Sequence, residues 1–270
     1  MSAIDLARQV LLTADSGEKA LSARQFRSEW IKNPIIGKLV EPLPEQPARP
    51  VVPRLVPPSK VPRRRLGSPS GRGALLHAVA HIELNAIDLA ADMVARFTHH
   101  DDISPADRPE FVSDWSQVCD DEARHFLMIN DRLEELGVAY GDHPAHNGLW
   151  EAAQSTCDNF PARVAIAPLV LEARGLDVTP GMIKKLNQVG DDKSAAILQV
   201  IYEEEIAHVA TGAKWFQYLA RRHNEQPESW FHYLVRNHFK GRVKSPFNEK
   251  ARTLAGLSRA FYEPLAANSL

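Results

Sequence analysis

Two short stretches of the sequence share one pattern. In "CDDEARHFLMI" Glu122 precedes His125 by three residues, and in "IYEEEIAHV" Glu205 stands in the same relation to His208. On a helix this spacing puts a carboxylate and an imidazole one turn apart on one face, which suits a divalent metal ion. With Glu122 at the centre of a helical wheel, Phe111, Trp115, Val118, Phe126, Ile129, Leu133 and Leu136 fall within about 40° of it. Asp120 and Arg124 project to the opposite side. Glu122 therefore lies in the apolar stripe, not on the wet face. Around Glu205 the stripe is Leu198, Ile201, Val209, Gly212, Phe216 and Leu219, with Tyr202 in the place that Cys119 holds beside Glu122. A buried, ionised carboxylate with no partner costs on the order of several kcal/mol, so each must be neutralised.

Two further helical patterns carry one inward carboxylate each. Glu83 shares its face with Leu76, Val79, Ile87, Ala90, Val94 and Phe97, and Glu172 shares its own, more weakly, with Ala165, Pro168 and Leu176. The order along the chain is Glu, Glu-x-x-His, Glu, Glu-x-x-His. That suits two antiparallel helix pairs facing each other about a pseudo-twofold axis. Four carboxylates and two imidazoles balance the charge of two divalent ions, and this mix of hard oxygen and borderline nitrogen donors suits iron or manganese, with zinc less distinctive. The pattern is the known signature of dimetal carboxylate bundles. Glu122 and Glu205 are then candidates to bridge the ions, His125 and His208 to ligate by nitrogen, and Glu83 and Glu172 to act as terminal carboxylates.

The elements that must position these residues are helical almost throughout. Long helices are predicted at about 73–98, 106–136, 149–175 and 192–222, a short one opened by Thr179 and Pro180, and two more near 227–239 and 247–262. Gly137 and Gly175 stand where helix stops are expected, and Pro161 and Pro168 should bend or cut the third long helix. The first forty residues read as two short amphipathic helices, the second opening on Ser22 as N-cap. Between Pro42 and Pro69 lie 9 of the 19 prolines, so this stretch must be extended; the alternate apolar residues Val51, Val52, Leu55 and Val56 favour a strap over a free linker. The expected organisation is 1–41 short N-terminal helices, 42–72 Pro-rich segment, 73–223 four-helix bundle and 224–270 C-terminal helices packing on it.

The stretch "PRRRLGSPSGRGALLHAVAHIELNAIDLAADMVARF", followed by "DDEARHF" and "YEEEIAHV", resembles the ferritin-like superfamily, and more closely the uncharacterised bacterial family known as domain of unknown function 455. The superfamily resemblance implies an all-α, ferritin-like four-helix bundle with a dimetal centre at Glu83, Glu122, His125, Glu172, Glu205 and His208. The narrower family implies no settled reaction. A more distant member of the superfamily is a tRNA-modifying di-iron hydroxylase.

Other residues carry weaker signals. His77 and His81 have a metal-compatible spacing but lie on a different face from Glu83, which assigns them to the surface or a subunit contact. "DHPAHN" at 142–147 reads as caps and turns. Tyr202 could be a hydrogen-bonding or redox partner beside Glu205, although core packing with a satisfied hydroxyl is the commoner role; Cys119 reads as inert burial. Arg63, Arg64 and Arg65 could steer RNA or another phosphate-bearing substrate, yet 32 basic against 34 acidic residues give no general attraction to nucleic acid or anionic membrane, so a solvated or salt-bridged strap is the stronger reading. Cys119 and Cys157 form no Cys-x-x-Cys pair and both fall in apolar helical pattern, which predicts no disulfide framework. The N-terminus does not read as a signal peptide, and no apolar run nears the roughly 18 residues of a membrane span. The expectation is a cytoplasmic homodimer that binds two iron ions, with manganese or a mixed pair as the alternative, and uses O2 to oxidise a small or nucleotide-linked substrate. Ferroxidation or iron handling is the first rival, a non-catalytic helical interaction module the second.

Overall fold

A computed structural model of the chain describes residues 1–61 and 66–266. Arg63–Arg65 lie outside the described residues. The fold is all-α: no described residue belongs to a strand, and an isolated bridge joins Leu55 to Ala145. Two compact units divide the chain, Met1–Glu151 and Ala152–Leu270. Their boundary falls inside the 73–223 segment expected to form the bundle.

In the first unit, α1 (Ala3–Leu12) begins with a capping box between Ser2 and Asp5. Helix α2 (Ser16–Lys32) starts six residues before Ser22, because the Asp15 side chain accepts from the Glu18 amide and caps it there. The hairpin of α3 (Pro69–Phe97) and α4 (Arg108–Glu135) packs against both. Ser68 caps α3 by accepting from the Gly71 amide at 3.1 Å, with Pro69 in the first turn, where a missing amide costs nothing. Gly137, at φ +71°, ends α4: its own amide donates to Glu134 O, and that of Val138 donates to Leu133 O.

Helix α3 is buried nearly all round. It contains an 18-residue window of mean hydropathy 1.2, longer and more apolar than the sequence reading allowed, and 83% of that window is buried inside the protein. Burial on all sides explains the composition.

The described part of the Pro-rich segment, up to residue 61, runs along the first unit with Pro47 and Pro53 buried and Val52 against Gly141, but most of the alternate apolar residues face out. Val51 is fully exposed, and Val52 and Leu55 are about half exposed. Polar contacts bind it as well. Leu11 O receives the Ala48 amide, Ala145 O receives the Val56 amide, and Arg54 O receives the Ala145 amide. Glu45 O accepts from the Trp150 indole at 3.0 Å. Arg49 reaches Asn85 Oδ1 at 2.7 Å and Asp88 Oδ2 at 3.1 Å, and the buried Lys19 ammonium pairs with the other Asp88 oxygen.

Helix α5 (Gly148–Gln154) crosses the unit boundary. The second unit contains α6 (Phe160–Ile166), a π-helical segment (Ala167–Glu172), α7 (Ala173–Gln188), α8 (Asp192–Arg222), α9 (Pro227–His238), α10 (Glu249–Leu254) and α11 (Arg259–Ala266). The predicted 149–175 helix is thus cut as its prolines demanded. Pro161 lies in the first turn of α6, which Asn159 caps, and Pro168 lies in the π-helical turn. Gly175 and Pro180 behave differently from the prediction: α7 runs through both and stops before Gly190. Proline at 180 removes the amide that would reach Leu176 O, and the Asn248 side chain donates to that carbonyl instead, at 3.1 Å. Cys157, expected in an apolar helix, is exposed in the turn after α5.

Candidate metal centre

In the first unit, α3 supplies Glu83 and α4 supplies Glu122 and His125. All three are buried, Glu122 and His125 at 0% exposure. One oxygen or nitrogen from each lies within 4.8 Å of the others. His125 Nδ1 stands 3.3 Å from Glu83 Oε2 and 3.5 Å from Glu122 Oε2, so a single nitrogen faces two carboxylates. The wheel positions explain this. Leu76, Ile87, Val94, Phe111, Phe126, Ile129 and Leu133 are all buried on the same stripes; Leu136 is half-buried. Core packing therefore fixes both helices in rotation, and the carboxylates follow.

Burial and like charge set the ionisation of this pocket. Burial, then the charge of Glu122, pushes the Glu83 carboxyl well above its usual range, against the opposing hydrogen bond from His125. Burial draws the His125 imidazole down, but hydrogen bonds to Glu122 and Glu83 outweigh it and raise its pKa to about 11. A proton on Nδ1 thus occupies the place among the donors that a cation would take.

In the second unit, α8 carries Glu205 and His208. His208 Nδ1 lies 3.6 Å from Glu205 Oε1, and the histidine is 2% exposed. Glu172, half-buried, ends the π-helical segment. The three-residue connection between α7 and α8 makes them antiparallel neighbours. Gly212 abuts Pro168, so close that an added Cβ would lie 2.5 Å from the proline Cβ, while Asn248 ties Leu176 O to the Tyr202 hydroxyl. Pro168 and Leu169 fill the space beside Gly212.

Tyr202 is half-buried and its hydroxyl accepts from Asn248 Nδ2 at 2.8 Å, which brackets α10 to the α7–α8 pair. Cys119 is buried and directs its thiol to Ile87 O at 3.7 Å; burial raises its pKa, which keeps it a protonated thiol. His77 and His81, expected at the surface or a subunit contact, are buried within the first unit. His81 Nδ1 meets the Tyr140 hydroxyl at 2.8 Å and its Nε2 meets His146 O at 3.1 Å, while His77 Nε2 accepts from the Gly141 amide at 2.9 Å and its ring stacks on Tyr140. These two histidines fasten the loop 139–147 to α3. Asp142 and His146 in that loop accept from the Ala139 and Gly148 amides, the caps and turns its sequence suggested.

Residues that the sequence reading missed lie around α7. Asp177 receives two bonds from the Arg252 guanidinium, at 2.9 and 2.7 Å, and one from the Asn248 amide. The signal was present in "FNEKAR", where Asn248 caps α10 through the Ala251 amide.

An "Uncharacterized protein" of Haemophilus influenzae (strain ATCC 51907 / DSM 11121 / KW20 / Rd) is 43% identical over 175 residues, 65% of this chain and 61% of that relative. The match therefore spans under two thirds of the relative's length. No solved structure matches the chain. The family described as "Protein of unknown function (DUF455)" matches residues 12–263, a span that includes both Glu-x-x-His helices. The chain belongs to the DUF455 family.

Proposed function

We propose that Glu83, Glu122 and His125 of the first unit and Glu172, Glu205 and His208 of the second together hold two divalent metal ions, in a ferritin-like arrangement, and that the protein is an O2-dependent oxidase or hydroxylase of a small organic substrate. One observation carries the reading. Two helices far apart in sequence set a histidine Nδ1 at nearly the same distance from the glutamate one turn before it, 3.5 and 3.6 Å, with both histidines buried. The donor set fits: four carboxylates cancel the charge of two divalent ions, so ions at these residues relieve a cluster in which burial and the charge of Glu122 oppose ionisation of Glu83. Iron ions bound there supply the redox equivalents for O2 chemistry. The chain itself holds the donors in place, keeps bulk water out with the apolar stripes of α3, α4 and α8, and moves the His125 proton off Nδ1 when a cation replaces it.

Anaerobic loading of chelator-treated protein with Fe(II) tests this. Two iron ions per chain, and an oxo-bridged diferric absorption on exposure to air, are expected; fewer than one iron per chain overturns the proposal. Gel filtration separates the enzyme from an iron-storing cage: a dimer is expected, not an assembly of many subunits.

A further inference from the structure

The second unit contains a cavity of about 260 Å³ that the metal site does not use. Its apolar wall is Leu169 and Val170 of the π-helical segment with Phe231 and Phe239. Arg174, Arg242, Lys244 and Arg252 line it as well. Asp177 is the carboxylate that pairs with two of these, Arg252 at 2.7 Å and Arg174 at 3.3 Å. Arg242 and Lys244 are exposed and make no ion pair among the described residues. Arg174 also donates to Lys244 O at 2.8 Å and Pro246 O at 3.2 Å, which holds the segment carrying these two cations over the cavity. Tyr262 completes the lining. It is 2% exposed, and its hydroxyl has no hydrogen-bond partner among the described residues. A buried phenol without a partner is costly unless something supplies one.

We propose that this cavity binds a small organic anion, its apolar body against Leu169, Val170 and Phe231 and its carboxylate or phosphate head at Arg242, Lys244 and the Tyr262 hydroxyl. The chemistry of the lining selects the class. An excess of cations over carboxylates demands negative charge, and a wall of aliphatic and aromatic carbons demands an apolar body. A neutral hydrocarbon leaves the charges unanswered, and a bare inorganic ion leaves the wall wet. The π-helical segment that forms the wall ends at Glu172, so the anion is also a candidate substrate class for the proposed dimetal chemistry. That last step rests on the dimetal reading; the binding site does not.

Calorimetric titration of the chelator-treated full-length chain tests the site. The probes are octanoate and phenyl phosphate, with 1-octanol and inorganic phosphate as controls. The expected result is saturable binding of octanoate or phenyl phosphate at least tenfold tighter than either control, the tighter of the two naming the head group. The double variant Arg242→Glu/Lys244→Glu, at exposed positions without described ion pairs, weakens the anion at least tenfold. Tyr262→Phe weakens it about threefold and leaves 1-octanol unchanged. Octanol or inorganic phosphate binding as tightly as the organic anions, an unaltered affinity in the double variant, or no saturation with any probe overturns the proposal. Iron binding is measured separately on the same protein: anion binding without iron removes the dimetal reading alone, and iron binding without anion removes this one alone.

Discussion

His125 is the residue whose protonation most directly reports on the site. In metal-free protein its folded pKa, about 11, lies far above the 6.5 of an unperturbed imidazole. The stabilisation it provides is therefore fully present below pH 6.5 and is lost as the pH rises toward 11. A cation at Nδ1 requires the neutral ring, so metal uptake at pH 7 releases a proton and the apparent affinity rises with pH. Calorimetry in two buffers of different ionisation enthalpy measures the release; a binding enthalpy identical in both overturns it. Glu122→Gln keeps the shape of the side chain and removes its charge. This variant should fold and lose the metal-dependent rise in melting temperature.

At the scale of elements, close approach and side-chain caps hold the second half-site. The added methyl of Gly212→Ala would fall 2.5 Å from Pro168 Cβ, so α8 or the π-helical segment must shift, at a cost of about 1–3 kcal/mol. Glu172 lies one turn beyond, and metal binding should weaken along with stability in urea melts. Asn248→Ala leaves Leu176 O, which Pro180 cannot serve, without its donor, and removes the partner of the Tyr202 hydroxyl; a loss of about 1–3 kcal/mol is expected. In the first unit, His81 clamps the 139–147 loop in its neutral form. Burial first, then the nearby Arg49 charge, lowers its pKa to about 4. A depressed pKa gives stability that is present above 6.5 and lost as the pH falls toward 4. The loss reaches about 3 kcal/mol, and His81→Gln should flatten the wild-type slope of unfolding free energy in that window.

At the scale of the whole molecule, the proposed ions take three ligands from each compact unit. Metal should then stabilise both units together, by about 3 kcal/mol for each ion when free metal exceeds its dissociation constant a hundredfold. Differential scanning calorimetry before and after chelation checks this, and a response confined to one unit overturns a shared centre. The same scale explains the apolarity of α3, which comes from packing inside the protein rather than from a membrane.

Periodicity alone was enough to determine the all-α class, the faces of α3, α4 and α8, and the burial of Glu83, Glu122 and His125, because a helix converts spacing into direction without reference to anything else. The caps and breaks were partly legible for the same reason: Pro161 and Gly137 act on their own neighbours. Only the tertiary structure decided what depended on distant residues. Pro180 remains inside α7 because Asn248 serves its lost carbonyl, and His77 and His81 are buried because a loop some sixty residues away closes over them. Besides its buried prolines, the Pro-rich segment is held by Arg49 and main-chain hydrogen bonds that no apolar pattern could announce. The cavity of the second unit is assembled from five separate stretches of chain, and no short-range spacing rule brings those together.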